Sequence, residues 1–426
     1  MKPMVVVLEP VSSGVSLLEA ARRLGYATIA VSHDADDRTL SADARSAADE
    51  VVRCDTNDLS ALTETVQRLA QRHTVKAVLP GFEYYVTAAT RINAQLKLPG
   101  LPLDSADCVR NKHAMRTRLA SRGVRVPRFA FVRTQAELLE AARIIGYPAV
   151  LKPTEGSGSM HVRRVDDQGQ LLDAFQHIQA DASTDLGRSF HDRLLLEEYI
   201  TGPEISVEGF ISTTGSTTGV EVVSITQKLL GPEPWFVELG HIVEGEFDAA
   251  TRRQITAYVR EVTAALDIRL GTFHCELRLS RGGPVVIEIG ARLAGDRICR
   301  LIELAKGIAL PDVLVRAYTG EPIAALPVVD RCHAGITFLS APPELAVFRA
   351  FDGLDTLRDA VDGVEEIVAH AHPGDPLPPL TDFRARLGHV IVTAPSYLEL
   401  TRRLAAVKQH IVVRGDRGAD GRPEAR

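Results

Sequence analysis

Two acidic residues, Glu276 and Glu288, lie on consecutive apolar stretches joined by the turn SRGG, within GTFHCELRLSRGGPVVIEIGARLAG at residues 271–295. Side chains alternate along a strand, so a hairpin over this stretch brings both carboxylates to one face. Acids held that close repel unless a cation lies between them. Mg²⁺ prefers oxygen ligands, usually with several waters and phosphate oxygens. Arg292, four residues beyond the second acid, is placed to meet an anion held by that metal. Metal, phosphate and an anion-clamping arginine point to phosphoryl transfer from a nucleotide.

Other residues fit that chemistry with less weight. Lys152 ends the strand-like run PAVLKP and is followed by TEGSGSM. An ammonium beside small residues can neutralise phosphate while backbone N–H groups approach it. No Gly-Lys-Ser/Thr closes this loop, so it is not a Walker A sequence, and a plain Gly/Ser hairpin turn explains it equally well. Lys112, at a helix start, reads by itself as a surface lysine, as does Lys228 in TQKLL, with a phosphate or carboxylate contact as the alternative. In LLLEEYITGPE, Glu197 and the Ile200 backbone offer an acceptor and a donor to adenine, and Glu204 can accept from ribose hydroxyls. A surface acid pair in a hairpin is the competing reading. His274 lies two residues before Glu276, hence on the same strand face. Glu83 ends a strand of the first domain, where α/β sheets place ligand contacts.

These side chains need a scaffold, and the chain supplies one. MVVVLEP, ATIAVSHD, EVVRCD and AVLPGFE read as strands alternating with helices such as SSGVSLLEAARRLGY, which predicts a doubly wound parallel sheet at residues 1–105. No GxGxxG follows the first strand, which weakens a dinucleotide reading. Residues 106–202 hold the helix NKHAMRTRLASRG, the helix AELLEAARIIG and strands carrying Lys152 and Glu197. Residues 203–426 hold the acid-bearing hairpin, a 327–413 extension of strands and a helix, and a charged, Gly-rich tail, 414–426, expected to be disordered. Together these predict a mixed α/β and α+β protein.

Composition narrows the function. A net charge of −6 argues against non-specific nucleic-acid binding. No apolar run approaches the roughly 20 residues that span a bilayer. The five cysteines are scattered, as expected of buried thiols in a reducing cytoplasm, and they form no zinc-type pairs.

In this order, from about Lys112 to Gly295, the pieces resemble the ATP-grasp superfamily, whose members carry an N-terminal α/β domain ahead of the nucleotide-clamping and metal-bearing parts. The resemblance implies that Lys112 and Lys152 contact nucleotide phosphates, and that the loop from Thr154 through Glu155, Gly156, Ser157, Gly158, Ser159 and Met160 closes over them. It implies that Glu197, Glu198, Tyr199, Ile200 and Glu204 form the adenine and ribose site, that Glu276 and Glu288 hold Mg²⁺ (Mn²⁺ as the alternative ion), and that Arg292 steadies an acyl-phosphate. Gly290 stands where the family often has Asn, which puts one ligand of a second metal in doubt.

Within the superfamily the likeness is to L-amino-acid ligases and related carboxylate–amine ligases. By that likeness Glu238 and His241, a Glu-x-x-His pair in WFVELGHIVEGEF, take a substrate ammonium and orient its carboxylate. Trp235 and Phe236 wall the side-chain pocket, while Gly295 and Asp296 close its end. An acid at 296 would suit a cationic substrate. Glu83 faces the site across the cleft, and His274 or Glu238 can serve as a weak base. The implied reaction is ADP-forming ligation of a carboxylic acid to an amine through an acyl-phosphate, with small-molecule substrates, a cytoplasmic location and a homodimer. A purine-pathway or biotin-carboxylase-like enzyme is the first alternative, and a non-catalytic ATP-binding module the second.

Overall fold

The computed structural model describes residues 2–214 and 217–418. The chain opens with four short strands, β1 (Met4–Leu8), β2 (Ala27–Ser32), β3 (Glu50–Arg53) and β4 (Val75–Pro80), in a parallel sheet ordered β3-β2-β1-β4. β1 is buried throughout because helices cover both faces. One face packs Val5 and Val7 with Leu17, Leu18 and Ala21 of the helix Gly14–Arg23 and with Val313, Leu314 and Tyr318 of the helix Leu310–Thr319. This packing ties the first sheet to the segment that follows the acid-bearing hairpin, and so sets how far Glu83 stands from Arg292.

Next comes an antiparallel sheet of β5 (Phe129–Val132), β6 (Ala149–Pro153), β7 (Arg163–Val165) and β8 (Leu194–Glu198), ordered β5-β8-β6-β7. A capping box, Thr134 with Glu137, starts the helix Gln135–Ile145, whose apolar face closes the core of this sheet.

The large sheet has eight strands. In chain order they are β9 (Glu204–Thr214), β10 (Thr217–Leu230), β11 (Glu238–Val243), β12 (Thr272–Ser280), β13 (Gly283–Gly290), β14 (His333–Ser340), then β16 (Val364–Ala369) and β17 (Arg386–Ala394). In space they run β13-β12-β9-β10-β11-β14-β17-β16, and every neighbouring pair is antiparallel. Alternation divides β12 into two faces. Phe273, Cys275 and Leu277 pack under the helix Ala249–Ala265, while His274, Glu276 and Arg278 point the other way. The expected hairpin is present, with Glu276 opposite Glu288.

A separate ribbon pairs β15 (Leu345–Asp352) with β18 (Val412–Arg417). The tail expected to be disordered from 414 is therefore strand as far as 417; residues 419–426 lie outside the described residues. Among the described residues the five cysteines are unpaired, and no helix is long and apolar enough to cross a membrane.

Glycines hold the first sheet's turns in contact. A Cβ on Gly14 would lie 2.2 Å from the Gly81 carbonyl oxygen, and one on Gly81 would lie 2.5 Å from the carbonyls of Leu8 and Glu9. Gly81 precedes Glu83 by two residues, so this close approach also sets the height of that carboxylate. We predict that Gly81→Ala costs about 1–3 kcal/mol, since backbone cannot yield as a flexible side chain would. Urea denaturation checks it, and an unshifted midpoint contradicts the packing.

Candidate active site

The two antiparallel sheets and the turns that follow β1 and β4 border one cavity of about 580 Å³. Four adjacent strands floor it with polar residues. β12 contributes His274, Glu276 and Arg278; β13 contributes Glu288; β9 contributes Glu204; β10 contributes Lys228. On β11 a bulge between the β10 partners Leu229 and Leu230 puts Glu238 and His241, three residues apart, on the same face.

Burial forces these charges into pairs, because a charge taken from water without a partner costs several kcal/mol. Lys228 is not the surface lysine its sequence setting predicts. Its side chain is 3% exposed, and its ammonium lies 2.7 Å from Glu204, 2.6 Å from Glu238 and 3.1 Å from Glu276. These three acids hold it well above the ordinary lysine pKa in spite of burial. Lys112 is buried too, donating to Glu288 at 2.9 Å and to the Gly156 carbonyl at 3.3 Å.

Glu197, expected as an adenine acceptor, lines the cavity and is held by two cations. Its carboxylate takes Arg116 Nε at 2.6 Å and lies 2.5 Å from the Lys152 ammonium, with all three side chains buried. Both its oxygens are committed to cations, so it anchors Lys152. The neighbours Glu198, Tyr199 and Ile200 also line the cavity, and the Ile200 carbonyl accepts from Arg278 at 3.0 Å. Arg278 also donates to Glu204 at 3.0 Å.

The loop after Lys152 is held from three sides. The Ser157 hydroxyl donates to Asp185 at 2.7 Å and meets the Tyr84 hydroxyl at 3.0 Å. Ser159 donates to the Phe236 carbonyl at 2.8 Å. The Phe383 backbone N–H donates to the Gly158 carbonyl at 3.3 Å, and a Cβ on Gly158 would lie 2.2 Å from the Phe383 ring. Asn111 reaches Glu155 at 3.0 Å, and Met160 is buried on the cavity wall.

Arg292 projects from beyond β13 onto Glu83 of the first sheet, with Nε 3.1 Å from the carboxylate; Arg110 approaches the same acid at 3.5 Å. Phe236 lines the cavity, as expected. Trp235 does not: it stacks under the Arg163 guanidinium, 5.2 Å from the ring centre. Gly295 and Asp296 close one end, but Asp296 is not a free acid awaiting a cation. It lies 3.0 Å from His241 Nε2 and 2.7 Å from Arg386 Nη1.

His274 donates through Nδ1 to Glu208 at 2.8 Å and through Nε2 to Glu276 at 3.1 Å. Burial pulls the imidazole pKa down, but the two carboxylates outweigh it and lift it to about 9. With both ring nitrogens on carboxylates, His274 holds Glu276 in place.

Arg116, Glu208, Arg278 and Arg386 escaped the sequence reading. Period-two polar residues in EISVEGF and FHCELR signal Glu208 and Arg278, whereas Arg116 and Arg386 act across the fold with no local pattern.

The fit to a metal rests on the donor set. Glu276 and Glu288 oppose each other, both reach the cavity, and both offer oxygen only, which suits Mg²⁺. Glu238, His241 and Asp296 also cluster, but Arg386 and Lys228 already supply the cations there.

The His274 pairing predicts a pH signature in protein kept metal-free with EDTA. Its folded pKa lies above the ordinary 6.5, so its stabilisation is full below pH 6.5 and is lost as pH rises through about 9. The His274 ring resonance should stay in its charged form at pH 7 and should titrate lower in Glu208→Gln; a neutral ring at pH 7 in the parent contradicts this.

Comparison with known proteins agrees with the geometry. Residues 145–300 match the family model for the ATP-grasp domain, 18–100 that for the ATP-grasp N-terminal domain, and 338–415 that for the L-amino acid ligase C-terminal domain 2. Dapdiamide A synthase of Enterobacter agglomerans is 28% identical over 96% of this chain and 95% of its own. The uncharacterized protein y4rH of Sinorhizobium fredii is 29% identical over 93% of this chain and 79% of its own. The crystal structure of L-amino acid ligase from Bacillus licheniformis, 24% identical, superposes with a TM-score of 0.81 over 98% of this chain and 99% of that one. On the fold described above, the chain thus carries an ATP-grasp domain at residues 145–300 behind an ATP-grasp N-terminal domain at 18–100.

Proposed function

We propose that this protein is an ATP-dependent, ADP-forming carboxylate–amine ligase that joins an amino acid to an amine, usually another amino acid. The observation that carries the reading is the polarity of the cavity. At one end Lys112, Lys152, Arg116, Arg292 and Arg110 gather near the Gly/Ser loop, each held by an acid. At the other end Glu238 and Asp296 stand together, held by Arg386, Lys228 and His241. A zwitterionic amino acid fits that field with its carboxylate toward the nucleotide phosphates and its ammonium toward Glu238.

In the first step a carboxylate oxygen attacks the γ-phosphorus of ATP in line, the bond from phosphorus to the β–γ bridging oxygen breaks, and ADP leaves. Lys112, Lys152 and Arg292 spread the charge that develops. Glu276 and Glu288 would hold Mg²⁺, which would supply further neutralisation of phosphate charge. In the second step the nitrogen of the amine attacks the acyl carbon, the carbon–oxygen bond to phosphate breaks, and the amine's proton leaves with the phosphate. Residues 154–160 keep water from the acyl-phosphate between the steps.

The test is ADP and phosphate release with Mg²⁺ over paired amino acids, with mass spectrometry of products. We expect an amide product and equal ADP and phosphate. Bicarbonate-dependent turnover indifferent to amino acids would favour the carboxylase-like alternative, and nucleotide binding with no turnover would favour a non-catalytic module. EDTA should abolish activity and Mg²⁺ restore it. Arg292→Met should lower kcat about 10²–10³-fold, the range seen when a charge-stabilising donor is lost, with ATP binding retained; an unchanged kcat would remove Arg292 from the mechanism.

A further inference from the structure

Arg386 reaches the cavity from β17, far in sequence from the other site residues. Its Nη1 donates to Asp296 at 2.7 Å, and its Nη2 donates to the Glu238 carboxylate at 3.1 Å and to the Glu238 carbonyl at 3.2 Å. The guanidinium lies 3.8 Å from the centre of the Phe338 ring, which holds it flat against the wall. One planar fork thus bridges two carboxylates, a geometry that lysine cannot reproduce.

The charges around this recess can be followed pair by pair. Lys228 and Arg278 serve Glu204, while His274 serves Glu208 and, with Lys228, Glu276. Arg386 serves Glu238 and Asp296. Lys228 also meets Glu238, and His241 meets Asp296, so neither acid of this pair stands free. Arg386 is the one cation that both share. A second cation on the substrate would meet an Asp296 whose charge is already engaged, with a guanidinium beside it.

We infer that Arg386 is a specificity-determining residue: by cancelling Asp296 it fits the recess to an amino acid with an uncharged side chain and excludes lysine-like ones. The inference rests on the ligase reading above for which substrate enters the recess. It reverses what an acid at position 296 implies on its own.

The test compares kcat/KM for leucine and methionine against lysine and ornithine, with one fixed amine, in the parent, Arg386→Met and Asp296→Asn. The parent should prefer the neutral group by at least about tenfold, the discrimination carried by 1.4 kcal/mol. Arg386→Met, which keeps the apolar stem, should move the cationic-to-neutral ratio at least tenfold toward lysine and ornithine. Asp296→Asn added to it should cancel that gain. If Arg386→Met fails to fold, Asp296→Asn alone carries the test: with Arg386 released from one of its two acids, glutamate should gain at least tenfold over leucine. Ratios that stay within twofold of the parent's in whichever variant folds would overturn the inference. If no amino acid supports turnover in the parent, the ligase reading fails. The inference is then read from binding, as the rise in thermal midpoint given by lysine and by leucine. Lysine failing to gain over leucine in Arg386→Met would overturn it independently.

Discussion

Buried charge must be paired, and this one constraint organises the cavity. A carboxylate removed from water and left without a cation costs several kcal/mol, more than most single contacts return. The floor strands bring Glu204, Glu208, Glu276, Glu288 and Glu238 into a space shared with Lys228, His274, Lys112 and Arg278. Lys228 is the hub, because one ammonium with three donors meets acids from three strands. The fold supplies the registers that make this possible: alternation on β9, β10 and β12, and a bulge on β11. Each partner fixes the direction of the next, so Glu276 is aimed by Lys228 and His274, and Glu288 by Lys112.

Pairing also gives the cavity its direction. Lysines and arginines gather near the Gly/Ser loop, and Glu238 and Asp296 stand together at the far end. The long C-terminal part borders both, since Phe383 packs on the loop at Gly158 and Arg386 meets Asp296.

Legibility in the sequence followed the range of the interactions. The parallel sheet, the hairpin and the face shared by His274 and Glu276 rest on periods of a few residues, and they were readable. β15 and β18 were not, because their paired residues are mostly charged or half-exposed. Lys228 looked like a surface lysine because the acids that surround it come from three other strands, the nearest of them ten residues on. The pairing of Glu197 with Arg116 was not legible because Arg116 lies 81 residues earlier, on another element. Asp296 looked like a free acid because its guanidinium arrives from 90 residues away. Local pattern reports which way a side chain points; it does not report what meets it there.

The central claim is that Glu276 and Glu288 form one cation site facing the nucleotide phosphates. A crystal structure with Mg²⁺ and a non-hydrolysable ATP analogue tests it most directly. The account predicts both carboxylates on a shared ion, with Lys112 drawn from Glu288 toward a phosphate oxygen. An analogue bound elsewhere, or an ion that ignores this pair, would contradict it.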